Sequence, residues 1–231
     1  MKSVLITGAN RGIGLEHATR YAKSGARVWA TARAPQEAEE LNALAGAHSG
    51  KVTVLAYDAS TPGAAVELKR QIGDAPVDLM FANAGGIGGR AQSFGNVDIA
   101  AVLSLIQVNA LAGLQLAEQF ADNVAASERK VMAFQTSLMG SIQDNGSGGY
   151  YGYRLSKVAL NMIGKGVAND LRARGVISVL LHPGWVQTRM GGASAPVSIQ
   201  QCVEGQQRIL DGLTPAQSGK FFNYDGRELP W

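Results

Sequence analysis

The residues with most to offer chemically are a tyrosine and a lysine four positions apart, Tyr153 and Lys157, in the run YYGYRLSK at 150–157. On a helix this spacing puts both side chains on one face, with Cβ atoms about 5–6 Å apart. A free phenol has a pKa of about 10 and is a poor acid or base near neutrality. A nearby ammonium favours the tyrosinate and brings the group toward a working range. Tyr150 is seven residues from the lysine and is expected to precede the helix, while Tyr151, six away, faces elsewhere. Spacing therefore selects Tyr153. Tyr–Lys pairs at this spacing are also common on helix surfaces, so the surrounding elements must decide between the two readings.

A second chemical signal lies near the start of the chain, in TGANRGIG at 7–14. Gly8, Gly12 and Gly14 follow an apolar run and open a helix-compatible one. There they permit a tight turn, close approach of backbone N–H groups to a pyrophosphate and the start of a helix whose N-terminus favours anions. A second cluster, GGIGG at 85–89, is followed by Arg90, Ala91, Gln92 and Ser93, a poor helix start. It is expected to be a loop over the bound dinucleotide. At the end of the second apolar run the chain reads ATAR (30–33); no acid stands there, and Glu37 lies beyond it. An acid at this place would hold ribose hydroxyls, whereas Arg33 and Arg11 suit a 2′-phosphate, which favours NADPH over NADH. The cationic nicotinamide of the oxidised form would further favour a tyrosinate at Tyr153.

The elements that must position these groups alternate along the chain. Apolar, β-rich runs at 2–7, 26–31, 51–58, 77–83, 130–137, 177–183 and 220–224 are separated by helix-compatible segments, including 13–23, 35–45, 62–72, 98–125 and 154–174. Near-continuous apolar strands imply a sheet buried on both faces, hence parallel with helical crossovers. The expected fold is α/β: a single-domain, Rossmann-like, doubly wound parallel sheet of about seven strands with helices on both faces. Ligands then sit at the carboxyl ends of the strands, which singles out Thr7, Arg33, Asp58, Asn83, Ser137 and Pro183.

The 231 residues carry a formal net charge of +3, with Lys and Arg scattered, so nucleic acid is not an expected partner. The one cysteine, Cys202, excludes an intrachain disulfide and fits a packing role in a reducing compartment. The apolar stretch at the N-terminus is too short for a signal peptide, and no 18-residue apolar run is evident elsewhere; no membrane partner and a cytoplasmic location are expected. His17, His48 and His182 are widely spaced and lack carboxylate or Cys partners, so no metal is expected. Ser137 lacks a G-x-S-x-G elbow and does not read as a hydrolase nucleophile. Trp185 could line a pocket or simply pack.

Taken together, TGANRGIG, NAG at 83–85, Asn109 in VNAL, Ser137 in QTSLMG, YRLSK at 153–157 and PGWVQT at 183–188 occur in an order that resembles the short-chain dehydrogenases/reductases of classical type. The resemblance spans essentially the whole chain. LMGSIQDNGSGGYYGYRLSK and GKFFNYDGRELPW look nearest to the C-factor-like and sniffer-like carbonyl reductase branch. It implies that Tyr153 is the general acid, that Lys157 lowers its pKa and binds the nicotinamide ribose, that Ser137 holds the substrate oxygen, and that Asn109 anchors a water linking Lys157 to solvent. It implies adenine contact by Asp58, a place along the adenosine ribose for Asn83 and carboxamide binding by Thr188. Asn10, Arg11, Ile13, Ala59, Ala84, Gly85, Pro183, Gly184 and Val186 would complete the cofactor site, with a small substrate lobe around 185–205. Two departures stand out. ANAG replaces the usual NNAG at 82–85, and Ser137 and Tyr153 are 16 apart, a few residues more than is usual, with DNGSGG (144–149) as the expected bulge.

The implied function is NADPH-dependent reduction of a small-molecule ketone or aldehyde, reversible to the alcohol. The alternatives are a dinucleotide-binding signalling protein of C-factor type and an NAD-dependent alcohol dehydrogenase. The segments 98–125 and 154–174 are where members of this family often pair, so a homodimer is plausible beside a monomer.

Overall fold

The computed structural model describes residues 1–231. Seven parallel strands form one sheet: β1 (Ser3–Ile6), β2 (Arg27–Ala32), β3 (Val52–Ala56), β4 (Leu79–Ala82), then, after a two-stranded hairpin of β5 (Gln92–Ser93) and β6 (Asn96–Val97), β7 (Val131–Gln135), β8 (Ile177–His182) and β9 (Lys220–Asn223). Their order is β3-β2-β1-β4-β7-β8-β9. The order reverses at β1, which pairs with both β2 and β4, so a crevice opens between the loops leaving β1 and β4.

Alternation along the strands explains the layers. Val4 and Ile6 of β1 and Val131 and Ala133 of β7 face one apolar cluster, together with Ala18 and Tyr21 of α1 (Gly12–Lys23), Leu41 of α2 (Glu39–Ala47) and Leu210 of α7 (Ile199–Gly212). Leu5, Met132 and Phe134 face the other. There they meet Leu68 of α3 (Ala64–Ile72), Leu116 and Phe120 of α5 (Ala112–Ala125) and Leu160 of α6 (Tyr151–Asp170). Sheet residues covered on both sides must be apolar throughout, which is why the strands read as continuous runs.

All seven expected strands are present, six of them slightly shorter than their apolar runs and β2 shifted by one residue. The segment expected as a helix over 35–45 begins with a 3-10 turn at Pro35–Glu37, and α2 follows it. The segment 98–125 is not uniform: α4 (Ile99–Ile106) passes through a π-helical turn at Gln107–Leu111 into α5. A correction concerns its character. The 27-residue stretch Ile99–Ala125 is long and apolar enough by length and composition to cross a membrane. Here its α5 part packs on one face of the sheet beside α6, and its α4 part packs against α6.

Candidate active site

The cradle after β1 is built by close approach. Gly8 (φ +65°) lies against Ala84, where a Cβ would come within 2.9 Å of the Ala84 backbone. At Gly14 a Cβ would stand 2.4 Å from the Gly8 carbonyl oxygen and 2.6 Å from the Asn83 amide nitrogen. Only glycine permits this turn to fold onto its own helix and onto the loop leaving β4. The extended residue Arg11 precedes α1 and makes no side-chain cap, and no acid occupies the first turn, so the helix N-terminus keeps its positive field for an anion. Asn10, Gly12 and Ile13 complete the cradle. The methyl of Thr188 lies 3.7 Å from where a Gly12 Cβ would be, so the 183–188 loop closes over it.

Asn83 has its amide committed to the protein. It donates to the main-chain oxygens of Thr7 (3.0 Å) and Gly8 (3.1 Å), while its own N–H donates to Thr7 Oγ1 (3.1 Å). Its amide nitrogen thus braces the cradle, leaving its carbonyl oxygen for a ligand. Asp58 is similarly engaged: its Oδ1 accepts from Ser60 N–H (2.9 Å) and Ser60 Oγ (2.7 Å). These bonds and the nearby Arg33 guanidinium hold its carboxyl below the usual range. Arg33 directly follows β2 and is exposed, and Arg11 is also exposed, so both guanidiniums are free to meet a phosphate. Ala59, Ala84, Gly85, Pro183, Gly184 and Val186 all lie in loops at the same edge of the sheet.

Tyr153 and Lys157 are buried on the inner face of α6, 8% and 5% exposed. Tyr150, in the left-handed conformation (φ 48°), precedes the helix as expected. Ser137, 7% exposed, lies two residues past the end of β7 and precedes a short 3-10 turn, Leu138–Gly140, its Oγ accepting from Met139 N–H at 3.2 Å. Gly140 lets this turn abut the helix at Lys157, where a Cβ would lie 2.8 Å from the Lys157 carbonyl carbon. Thr136 Oγ1 donates to Asn161 Oδ1 (2.6 Å), and Asn161 Nδ2 donates to Gly140 O (3.0 Å), fixing the turn against α6.

Burial raises the Tyr153 phenol above its ordinary pKa, opposed by the Ser137 hydroxyl beside it. The Lys157 ammonium lies 5.7 Å from the Tyr153 ring centre and donates to the Gln135 main-chain oxygen at 2.8 Å. Burial pushes the Lys157 amine down to about 8.

Asn109 is buried, 3% exposed. Its Oδ1 accepts from Gly86 N–H (2.8 Å), and its Nδ2 donates to Gly86 O (2.8 Å) and Ser156 Oγ (2.9 Å). These bonds clamp the 85–89 loop to α6 and take up both amide hydrogens. Asn109 sits in the π-helical turn, which interrupts the α-helical ladder at this point.

Gln92 was not singled out by the sequence. It is buried; its Nε2 donates to Ile87 O (2.9 Å) and Gly89 O (2.6 Å), and its Oε1 accepts from Tyr153 N–H (2.8 Å). One side chain thus holds the glycine-rich loop and caps the first turn of α6. Its partners are fixed only by folding. His182 and Cys202 have no metal-ligating company, and no group of three or more His, Cys, Asp or Glu side chains could hold an ion. Trp185 is 57% exposed and donates its indole N–H to Gly191 O at 2.7 Å, a ring fixed at the surface.

The family model for short chain dehydrogenase matches residues 2–196. The chain is 43% identical over 156 residues to the C-signal protein of Myxococcus xanthus, a match covering 68% of this chain and 93% of that one. The carbonyl reductase Sniffer of D. melanogaster superposes with a TM-score of 0.89 at 31% identity, covering 100% of both chains. An NADPH-bound carbonyl reductase from chicken fatty liver gives 0.89 at 31% identity, covering 100% of this chain and 99% of that one. A glycine cradle on β1, a serine after β7 and a buried Tyr–Lys pair on the next helix accord with this likeness, and the chain belongs to the short chain dehydrogenase family.

Proposed function

We propose that this oxidoreductase is an NADPH-dependent carbonyl reductase acting on a small ketone or aldehyde. The observation that carries the reading is the convergence of Ser137, Tyr153 and Lys157, all buried, at the strand edge that also carries the glycine cradle. NADPH fits the residues present: the Gly8–Gly14 turn admits no side chain, the N-terminus of α1 is unneutralised, and Arg33 and Arg11 offer a 2′-phosphate two cations where an acid would repel it. When bound, NADPH supplies a hydride for the carbonyl carbon.

The chain's own groups do the rest. The Ser137 hydroxyl orients the substrate oxygen toward Tyr153. The Tyr153 phenol, kept protonated by burial, donates its proton to the developing alkoxide. Lys157 provides the positive charge that stabilises the resulting phenolate. Thr188 and Asn83 hold the cofactor, and Asp58 lines its adenine end. The segment around 185–205 forms a small substrate lobe, and Met190 and Trp185 are exposed apolar side chains on it. The exposed Leu103 and Leu155, on the packed helices α4 and α6, make a homodimer through this face part of the same proposal. The buried free Cys202 accords with a reducing, cytoplasmic setting.

Side-by-side fluorescence titration with NADPH and NADH, then turnover on a panel of aldehydes, ketones and quinones, tests this reading. Tenfold tighter NADPH binding with turnover supports it; equal affinities favour the NAD-dependent alcohol dehydrogenase. The likeness to C-signal favours a second reading, a dinucleotide-occupied signalling protein. Cofactor binding without turnover on any member of the panel would select it.

A further inference from the structure

Three side chains that this chemistry leaves unused form one buried polar chain. His17 Nε2 stands 2.9 Å from Gln206 Oε1, and Gln206 Nε2 donates to Gln135 Oε1 at 3.0 Å. His17 and Gln206 are fully buried, and Gln135 is 8% exposed. Burial pushes His17 down to about 4, so the imidazole is neutral and its Nε2–H is the donor. Both ends of the chain are open, because His17 Nδ1 and Gln135 Nε2 have no partner. The surroundings are apolar: Val131, Ala133 and Leu181 belong to the core on this face of the sheet, and Phe81 meets the His17 ring edge-on at 4.9 Å. Stability alone does not account for such a chain. Burying polar groups with open ends costs free energy that an all-apolar layer avoids.

What the chain connects does account for it. His17 is on α1, whose N-terminus forms the glycine cradle. Gln206 is on α7, which follows the loop bearing Thr188. Gln135 ends β7, two residues before Ser137, and its main-chain oxygen accepts the Lys157 ammonium. One helical turn nearer the site, Ile13 of α1 and Cys202 of α7 pack with Val186. The polar chain thus lies one turn beneath the apolar contact between the cradle and the 183–188 loop. Apolar contacts permit sliding, whereas hydrogen bonds have direction and fixed length.

We propose that His17, Gln206 and Gln135 are positioning residues, a three-way tie that sets the spacing of the cofactor cradle, the 183–188 loop and the proton-handling groups. The inference rests on the reductase reading. Its leverage is geometric, since small misplacement of reacting groups lowers rate more than binding.

The test replaces the whole tie by apolar groups of similar size, His17→Leu with Gln135→Met and Gln206→Met, so that no buried group is left unpaired. Three quantities are measured: the melting temperature; NADPH affinity by fluorescence; and the Tyr153 titration in the NADP+ complex, from tyrosinate absorbance minus that of the matching Tyr153→Phe protein. kcat is measured alongside. The expected result is an unchanged or higher melting temperature, NADPH Kd within threefold of wild type, kcat down at least tenfold, and a Tyr153 titration moved upward by a unit or more. A folded variant with wild-type kcat and wild-type titration overturns the proposal. Should the triple variant fail to fold, Gln206→Met alone decides by the same readouts. The titration needs no turnover, so a wild type that binds NADPH but reduces nothing sinks the reductase reading while the tie is still decided.

Discussion

Gln92 accepts the main-chain N–H of Tyr153 at 2.8 Å while donating to the carbonyls of Ile87 and Gly89. Tyr153 and the glycine-rich 85–89 loop are thereby held by one amide, 61 residues from Tyr153 in sequence. Gln92→Leu removes three hydrogen bonds and leaves the buried Tyr153 N–H unsatisfied. The expected cost is about 1–3 kcal/mol of stability, with a fall in kcat, read by urea denaturation and steady-state kinetics. An unchanged midpoint and rate would mean that the contact positions nothing.

Tyr153→Phe removes the phenolic oxygen and keeps the ring. Turnover should fall by about 100-fold or more, the usual reach of a positioned acid, while NADPH affinity stays close to wild type. Retention of more than about a tenth of the wild-type rate would remove Tyr153 from the acid's role.

Arg33→Ala should weaken NADPH binding by about tenfold, roughly 1.4 kcal/mol, and leave NADH binding unaffected. The guanidinium is exposed, so the discrimination should shrink as salt is raised. Parallel loss of affinity for both cofactors would point to a structural rather than phosphate-reading role.

Lys157 gives a pH signature. Its folded pKa is about 8 because of burial, whereas the unfolded value is about 10.4. Between these values the unfolded chain binds more protons, so this residue's contribution to stability rises with pH across the window. Below pH 8 its buried charge is a constant penalty relative to an apolar residue. The stability of wild type minus that of Lys157→Met should therefore increase from pH 8 to about 10, by on the order of 3 kcal/mol at most. Taking the difference cancels Cys202, whose thiol burial pushes up to about 12. A flat difference would show that the amine is not desolvated.

How far the sequence reaches can be judged residue by residue. The glycine loop, the seven strands and the Tyr153–Lys157 spacing are local patterns: a strand buried on both faces must be apolar throughout, and a turn with no room for Cβ must be glycine. Those properties are written in consecutive residues, and from them come the doubly wound sheet, the edge at which ligands bind and the choice of Tyr153 over Tyr150 and Tyr151. The tertiary structure alone decided where the polar side chains go. Asn83 and Asn109 spend their amide hydrogens on Thr7, Gly8, Gly86 and Ser156; Lys157 turns to the Gln135 carbonyl; Gln92 reaches Tyr153; and Gln206 joins His17 to Gln135. A glutamine carries no periodicity that names its partner. A hydrogen bond across 189 residues, such as that of His17 with Gln206, is fixed only once the sheet has set both helices side by side on one face.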